Sequence, residues 1–447
     1  MGAAEQYITL YEQNRDTIAL HSPSALNAPR EEAFRDFKRL GIPSLKVERY
    51  RYTDVEQVLK PDYGLNLSRL AIPIDPRKAF SCSVPTLSTY LYFVINDEFR
   101  PEVTHSKPLP QGVVVCSLAK AAEEHRELVE RHYARLAPTR KDSLNALNTM
   151  LTQDGVFVYV PKNVALSRPL QVVNILRADV SLMANRRVLI VMEEGAQAQL
   201  LFCDHAADER QFLTTQVAEV FVGDRASLEL YELEETHSLN HRLANMYVDV
   251  GEKAQVTLDS ITLHNGLTRN RTDVSLRGAG STVNMYGCVV ADKQQRVDNN
   301  TLIEHRSPQC ESNELYKYVL DGEAVGAFAG RVLVRQDAQK SSSREVNANL
   351  CASPSARMFS QPMLEIYADD VKCSHGSTVG QLNEAALFYM RQRGVSLEEA
   401  RLLLKYAFVG EVIDSVRLEP LRDRLRYLTE ARMRGSLSNC EGCKVCR

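Results

Sequence analysis

Hydrophobic and polar positions fall into three regimes along the chain. Up to about residue 150, apolar residues recur mainly at helical spacing. Over 29–40, Ala33, Phe34, Phe37 and Leu40 share one face, and Gly41-Ile42-Pro43 ends the run. Pro29 suits the first turn of that helix. Prolines at 61, 73, 76, 85, 101, 108 and 110 break up 61–115, which predicts one strand, Tyr90–Ile95. A second helix is predicted over 117–136, with Leu128, His132 and Leu136 on one face. His125 and His132 within it read as packing or solvated residues.

Past residue 155 the helical spacing gives way to β-branched runs, and the chain repeats itself. Gly195-Ala196-Gln197-Ala198-Gln199-Leu200 returns as Gly223-Asp224-Arg225-Ala226-Ser227-Leu228. It returns again as Gly251-Glu252-Lys253-Ala254-Gln255-Val256 and as Gly278-Ala279-Gly280-Ser281-Thr282-Val283. The units are spaced 28, 28 and 27 residues apart, each preceded by a β-rich run. A fixed period of this size marks a solenoid. Each glycine is read as permitting a turn that a Cβ would resist. The small residue three positions later is read as pointing inward at a corner. One unit then closes into one coil of a β-helix, and neighbouring coils hydrogen-bond to each other, leaving edges only at the ends. The repeat blurs after about residue 290, but strand-like stretches at 315–320, 330–334 and 364–367 carry the stack on. Helices at both termini are the expected covers for its ends.

After Gly380 the pattern is helical again. Asn383 caps a run at 384–393 that Gly394 stops. Ser396-Leu397-Glu398-Glu399 is a capping box opening a further helix, which Gly410 interrupts, and Pro420 opens a last segment over 421–433. Residues 391–434 hold ten basic and seven acidic side chains, either a solvated face or a docking surface for an acidic or mixed-charge partner. The expected organisation is an N-terminal helical or mixed domain (1–150), a parallel β-helix (151–378), a C-terminal helical domain (379–434) and a cysteine-rich tail (435–447).

Composition narrows the function classes. The chain has 447 residues, 44% hydrophobic and 25% charged, as expected of a globular protein of several domains. With 54 basic against 57 acidic side chains, it lacks the electrostatic footprint of a nucleic-acid or acidic-membrane binder. No apolar run approaches a membrane span. Ten cysteines and no export signal point to a reducing, cytoplasmic setting, in which some thiols serve as ligands or reactive groups. Gly278-Ala279-Gly280 is not a dinucleotide fingerprint, because no third glycine stands at Val283 and no helix pattern follows. No phosphate-binding Gly-x-x-x-x-Gly-Lys-Ser/Thr loop occurs either, so any nucleotide hydrolysis must come from another subunit.

Two places carry candidate chemistry. The first is Asp369-Asp370-Val371-Lys372-Cys373-Ser374-His375-Gly376. If the run 364–367 continues as a strand, alternation puts Val371, Cys373 and His375 on one face. A thiolate beside an imidazole suits iron, zinc or an iron–sulfur unit, although two ligands complete no site. A buried thiol and a structural histidine are the bland alternative. The second is the tail, where Cys440, Cys443 and Cys446 lie three residues apart. Three thiolates make neither a closed zinc site nor a four-cysteine cluster motif. They form either a metal or redox tail lacking one ligand or an unstructured end.

Several separated motifs together resemble the SufB/SufD family. They are Phe328-Ala329-Gly330-Arg331-Val332, Ala338-Gln339-Lys340, Asn349-Leu350 before Pro362-Met363-Leu364-Glu365-Ile366, and then Asp369 to Gly376. Leu387-Phe388-Tyr389 and Arg391-Gln392-Arg393-Gly394 follow in the same order, and Glu48-Arg49-Tyr50-Arg51-Tyr52-Thr53 fits more weakly. The family commonly has Trp after that Glu, and this chain has none. The Cys-x-His-Gly form is the SufD-like one. The resemblance implies a right-handed parallel β-helix between helical domains, paired with a SufB-like paralogue through the β-helices. It also implies a SufC-like ATPase bound by the C-terminal helices. His375, and less directly Cys373, would help hold iron or a nascent, transient iron–sulfur cluster at the partner interface.

The expected role is therefore that of a scaffold subunit and not an enzyme, with a homodimer as the arrangement open to the chain alone. One alternative is a SufB-like subunit carrying the cluster itself through Cys440, Cys443 and Cys446. A carbohydrate-active β-helix enzyme and a plain interaction platform with inert thiols are the others. The sequence leaves FAD binding open.

Overall fold

The computed structural model describes residues 2–76, 87–101 and 108–435. Its strands, in chain order, begin with β1 (Tyr90–Ile95), β2 (Glu98–Arg100), β3 (Val114–Ser117), β4 (Val156–Val160) and β5 (Leu170–Leu176). Next come β6 (Leu182–Met192), β7 (Gln197–Ala206), β8 (Phe212–Val222), β9 (Ser227–Glu235), β10 (Asn240–Val250), β11 (Gln255–His264) and β12 (Leu267–Leu276). The series closes with β13 (Thr282–Ala291), β14 (Arg296–His305), β15 (Glu311–Leu320), β16 (Val325–Val334), β17 (Ser342–Cys351), β18 (Arg357–Ile366) and β19 (Lys372–Gly380).

From β4 onward the chain steps from one sheet to the other and back. Even-numbered strands stack in one sheet and odd-numbered strands in the second. Within each sheet a strand pairs in parallel with the strand two later, so two successive strands make one coil of a solenoid. Side chains alternate along a strand, and the inward set fills the space between the sheets. Val158, Leu200, Val220, Leu230, Val248 and Val274 belong to that core. Two antiparallel contacts close the N-terminal end: β2 folds back on β1, and β3 on β4.

The corners show why the repeat carries a glycine, and they correct its alignment. Arg225, Lys253, Gly280, Gln309 and Lys340 hold the left-handed conformation in successive coils, and so does Gly195. A small buried residue follows each of them: Ala196, Ala226, Ala254, Ser281, Cys310 and Ser341. Gly195 is therefore equivalent to Arg225, not to Gly223, and the first unit is displaced by two residues from the alignment expected. The pairing of Ala198 with Leu228 confirms this register. Gly223, Gly251 and Gly278 are not at positive φ. They are needed because a Cβ would strike the coil beneath, 1.9 Å from Glu252 N in the case of Gly278.

The helices clothe the outer faces of the sheets and do not cap the solenoid ends as expected. At the N-terminal side, the helix Ser143–Leu151 packs across β6, β8 and β10. There Leu144, Leu147 and Met150 meet Met183, Leu213 and Leu243. The predicted 117–136 helix is broken at His125 into Leu118–Glu124 and Arg126–His132. His132 stands edge-on to Phe221 at 4.6 Å, a packing role. At the C-terminal side, the helices Leu397–Ile413 and Glu419–Met433 lie on the outside of β11, β13 and β15. The odd-numbered sheet is apolar on that outer face too, through Leu201, Tyr231, Leu233, Ile261 and Leu263. That surface, rather than the last coil, draws the helices. Gly410 does not interrupt Leu397–Ile413, while Asn383 and Ser396 cap their helices as expected. Among the described residues no helix is long and apolar enough to cross a membrane.

Candidate functional site

The last coil is made of β18 and β19, each terminal in its sheet, with one partner apiece. The run 364–367 and the Cys-x-His pair are not one strand. The chain leaves β18 at Ile366, turns, and enters the other sheet at Lys372. Cys373 and His375 still share a face, because both lie in β19, whereas Val371 belongs to the turn.

In-register pairing fixes their neighbours. Cys373 lies over Ser343, and His375 over Glu345, one coil down on β17. Glu345 faces across the interior, where a Cβ on Gly330 would lie 2.0 Å from its Oε1. Cys373 and His375 are thus on the inward side of the last coil, where no further coil covers them. His375 is exposed and Cys373 half-buried. Cys373 borders an apolar cluster of Val332, Val334 and Ala338, and burial pushes its thiol up, partly offset by a backbone hydrogen bond from Ser343.

The backbone direction of β19 follows from one bond. Lys372 N donates to Ser341 O at 3.0 Å, so even-numbered residues of β19 aim their N–H at β17. The N–H groups of Cys373, His375, Ser377 and Val379 then point away from the stack. Phe359, Ile366, Tyr367 and Val379 are large, exposed apolar residues around the same end. Pro362 sits in β18, as suits a terminal strand, and removes a donor from that edge.

Among the described residues no three His, Cys, Asp or Glu side chains are gathered to hold a metal ion. Cys373 and His375 share one face of β19, with no third such side chain gathered beside them among the described residues. Cys440, Cys443 and Cys446 lie outside the described residues. Of the ten basic side chains in 391–434, several are tied within the chain, among them Arg417 to Glu229, Arg426 to Asp414, Arg432 to Asp292 and Arg434 to Glu399. The exposed apolar pair Phe388 and Tyr389 is the more open feature of the C-terminal helices. Sequence reasoning missed Ser343 and Glu345. Stepping back one coil from Cys373 and His375 was the signal that could have found them.

Comparison with known proteins agrees with this architecture. Residues 175–408 match the family described as SUF system FeS cluster assembly, SufBD core domain. Residues 1–172 match the SufBD protein N-terminal region. A SufBD family iron–sulfur cluster assembly protein of Synechocystis is 26% identical over 402 residues, covering 88% of each chain. The iron–sulfur cluster assembly protein SufD of Escherichia coli is 26% identical over 403 residues, 88% of this chain and 90% of that one. SufD of Bacillus subtilis is 25% identical over 349 residues, 76% and 79% of the two chains. With a solenoid of this form and a family match across core and N-terminal region, the chain belongs to the SufB/SufD family of the SUF iron–sulfur cluster assembly system.

Proposed function

We propose that the chain is a non-enzymatic scaffold subunit whose open end joins the solenoid of a SufB-type paralogue edge to edge. His375, seconded by Cys373, contributes to holding iron or a nascent cluster at that seam. The observation that carries this reading is the position of His375. It stands exposed on a terminal strand whose outward N–H groups have no partner strand among the described residues.

An unpaired parallel edge is a ready template for another strand, and natural proteins leave one open mainly where a partner takes it. A ligand set divided between two chains forms only on assembly. It also binds its cargo weakly enough to release it, as a transfer site must. Imidazole and thiolate are suitable donors for iron. The exposed Phe388 and Tyr389, on a helix beside the sheet-docked pair, offer an apolar foothold for a SufC-type ATPase.

The test is co-expression with a SufB-type and a SufC-type partner, followed by anaerobic assay of iron and acid-labile sulfide. His375→Ala is expected to lower cluster yield while the complex still elutes as one species. Unchanged yield in that variant removes His375 from the mechanism.

A further inference from the structure

One corner of the solenoid is shorter than those on either side of it. The chain crosses between the sheets through residues 236–239 after β9 and 292–295 after β13, but through Asn265 and Gly266 alone after β11. Gly266 holds this short corner close to the coil beneath. Its N–H donates to Asn240 O at 3.0 Å, and a Cβ there would lie 2.2 Å from Ser238 O. The longer corner on the other side is tied to it as well. Arg296 N donates to Gly266 O at 3.0 Å, and Gln295 Nε2 to Asn265 O at 2.7 Å. The result is a notch of about 670 Å³, with Ser238 and Leu239 on one wall and Lys293 and Gln294 on the other. That is the size of a small-molecule site.

Basic and imidazole groups dominate its lining. Lys293 and Arg296 are exposed, and neither is ion-paired among the described residues. Two nearby carboxylates are already taken: Arg432 holds Asp292 at 2.6 Å, and Arg177 holds Asp208 at 2.9 Å. Glu209 is the acidic member of the lining. His237, His241 and His264 line the notch too, and burial pushes all three imidazoles down, with the Arg432 cation adding to the effect at His264. His237 is fully committed. Its Nδ1 accepts from Leu239 N at 3.2 Å, so its Nε2 carries the proton and donates to Asp208 O at 2.9 Å, which pins that wall in place. His264 uses only Nδ1, 2.6 Å from Thr236 O, and His241 has a buried Nδ1 without a partner among the described residues. His241, Leu267 and Arg296 are in-register neighbours in three successive coils, which puts an apolar rung between the two polar ones. The imidazoles are not gathered to hold a metal ion. Unpaired cations beside groups that can take up a proton suit an anion instead.

We propose that the notch is a binding site for a phosphate monoester, its dianionic head held between Lys293 and Arg296 and its organic body laid on Leu239 and Leu267. Lysine and arginine are the usual phosphate partners, one as a point charge and the other as a planar fork. A bound dianion favours protonated imidazole, so His241 and His264 can add donors as it enters. The notch exceeds what a bare inorganic ion fills, and Leu239, 50% exposed, offers apolar surface to the rest of the molecule. The site lies at the corners around β9 to β14 and not at the β18–β19 end, so the inference does not rest on the proposed assembly role.

The test uses the full chain and isothermal titration calorimetry at about pH 7.5, where the ester is a dianion. Phenyl phosphate is expected to bind once per chain, inorganic phosphate more weakly and phenol not at all. Lys293→Gln and Arg296→Gln alter exposed side chains, so both should fold, as circular dichroism checks. Each is expected to weaken phenyl phosphate binding roughly tenfold. Arg306→Gln, exposed at a corner of the other kind between β14 and β15, should leave binding unchanged. Absence of phenyl phosphate binding, undiminished binding in folded Lys293→Gln and Arg296→Gln, or an equal loss in Arg306→Gln overturns the proposal. Inorganic phosphate bound as tightly as the ester overturns it too, because the apolar wall would then have no part.

Discussion

Arg432 clamps Asp292 with both terminal nitrogens, at 3.0 and 2.6 Å, while its Nε donates to Leu263 O at 2.6 Å. One nearly buried guanidinium thus bolts the last helix to two turns of the solenoid, and it holds the Asp292 carboxyl below its usual range against the opposing effect of burial. Arg432→Ala leaves Asp292 without its cation and is expected to cost roughly 3 kcal/mol. Hydrogen exchange should quicken over 397–433 while strands β5 to β15 keep their protection. Arg432→Lys should not rescue it, because one ammonium cannot replace the planar fork.

A second contact across the same seam should respond to pH. Ser415 Oγ donates to Asp259 Oδ1 at 3.2 Å, and Asp259 Oδ2 is buried without a partner. Burial, with Glu229 adding to it and Ser415 opposing it, pushes the Asp259 carboxyl up to about 7. Between about pH 4 and 7 the folded chain therefore keeps a proton that the unfolded chain has released. Stability should fall as pH rises through that window and level off above it, with a slope of at most about 1.4 kcal/mol per pH unit. Glu234, raised to about 7 mainly by burial, acts in the same direction. Urea midpoints of the wild type and Asp259→Asn across pH 4–8 separate the two, since the variant should lose its share of the slope.

The stack itself can be tested at two glycines of one corner. A Cβ at Gly278 would enter the backbone of the coil below, whereas Gly280 is at φ +67 with no contact closer than 3.5 Å. Gly278→Ala should cost roughly 3 kcal/mol or more through steric displacement. Gly280→Ala should cost only about 1 kcal/mol, the expense of a left-handed alanine. Equal denaturant midpoints for the two variants would show that coil spacing is not what the repeat protects.

How much of this was legible in the sequence follows from what sequence spacing encodes. The solenoid was visible because the Gly-plus-small corner recurs at nearly constant period over three coils. Its first unit slipped because Gly195 satisfies a left-handed turn that Arg225 and Lys253 fill in the next coils, and one letter served two physical needs. Cys373 and His375 were found because strand alternation is local. Ser343 and Glu345 were not, because their alignment under Cys373 and His375 exists only across coils, where the period has drifted and the repeat no longer marks register. The sideways placement of the C-terminal helices was hidden likewise. It depends on an outer face made apolar by Leu201, Tyr231 and Ile261, each from a different coil.

The central claim is that the outward edge of β19 receives another chain. Amide hydrogen exchange of the chain alone, and of its complex with a SufB-type partner, tests it most directly. The N–H groups of Cys373, His375, Ser377 and Val379 should exchange rapidly in the free chain and be protected in the complex. Val379→Pro, which deletes one outward donor and spares the ladder to β17, should weaken the complex without lowering the stability of the chain. Protection of these four amides unchanged by the partner, in a complex that demonstrably forms, would contradict the account.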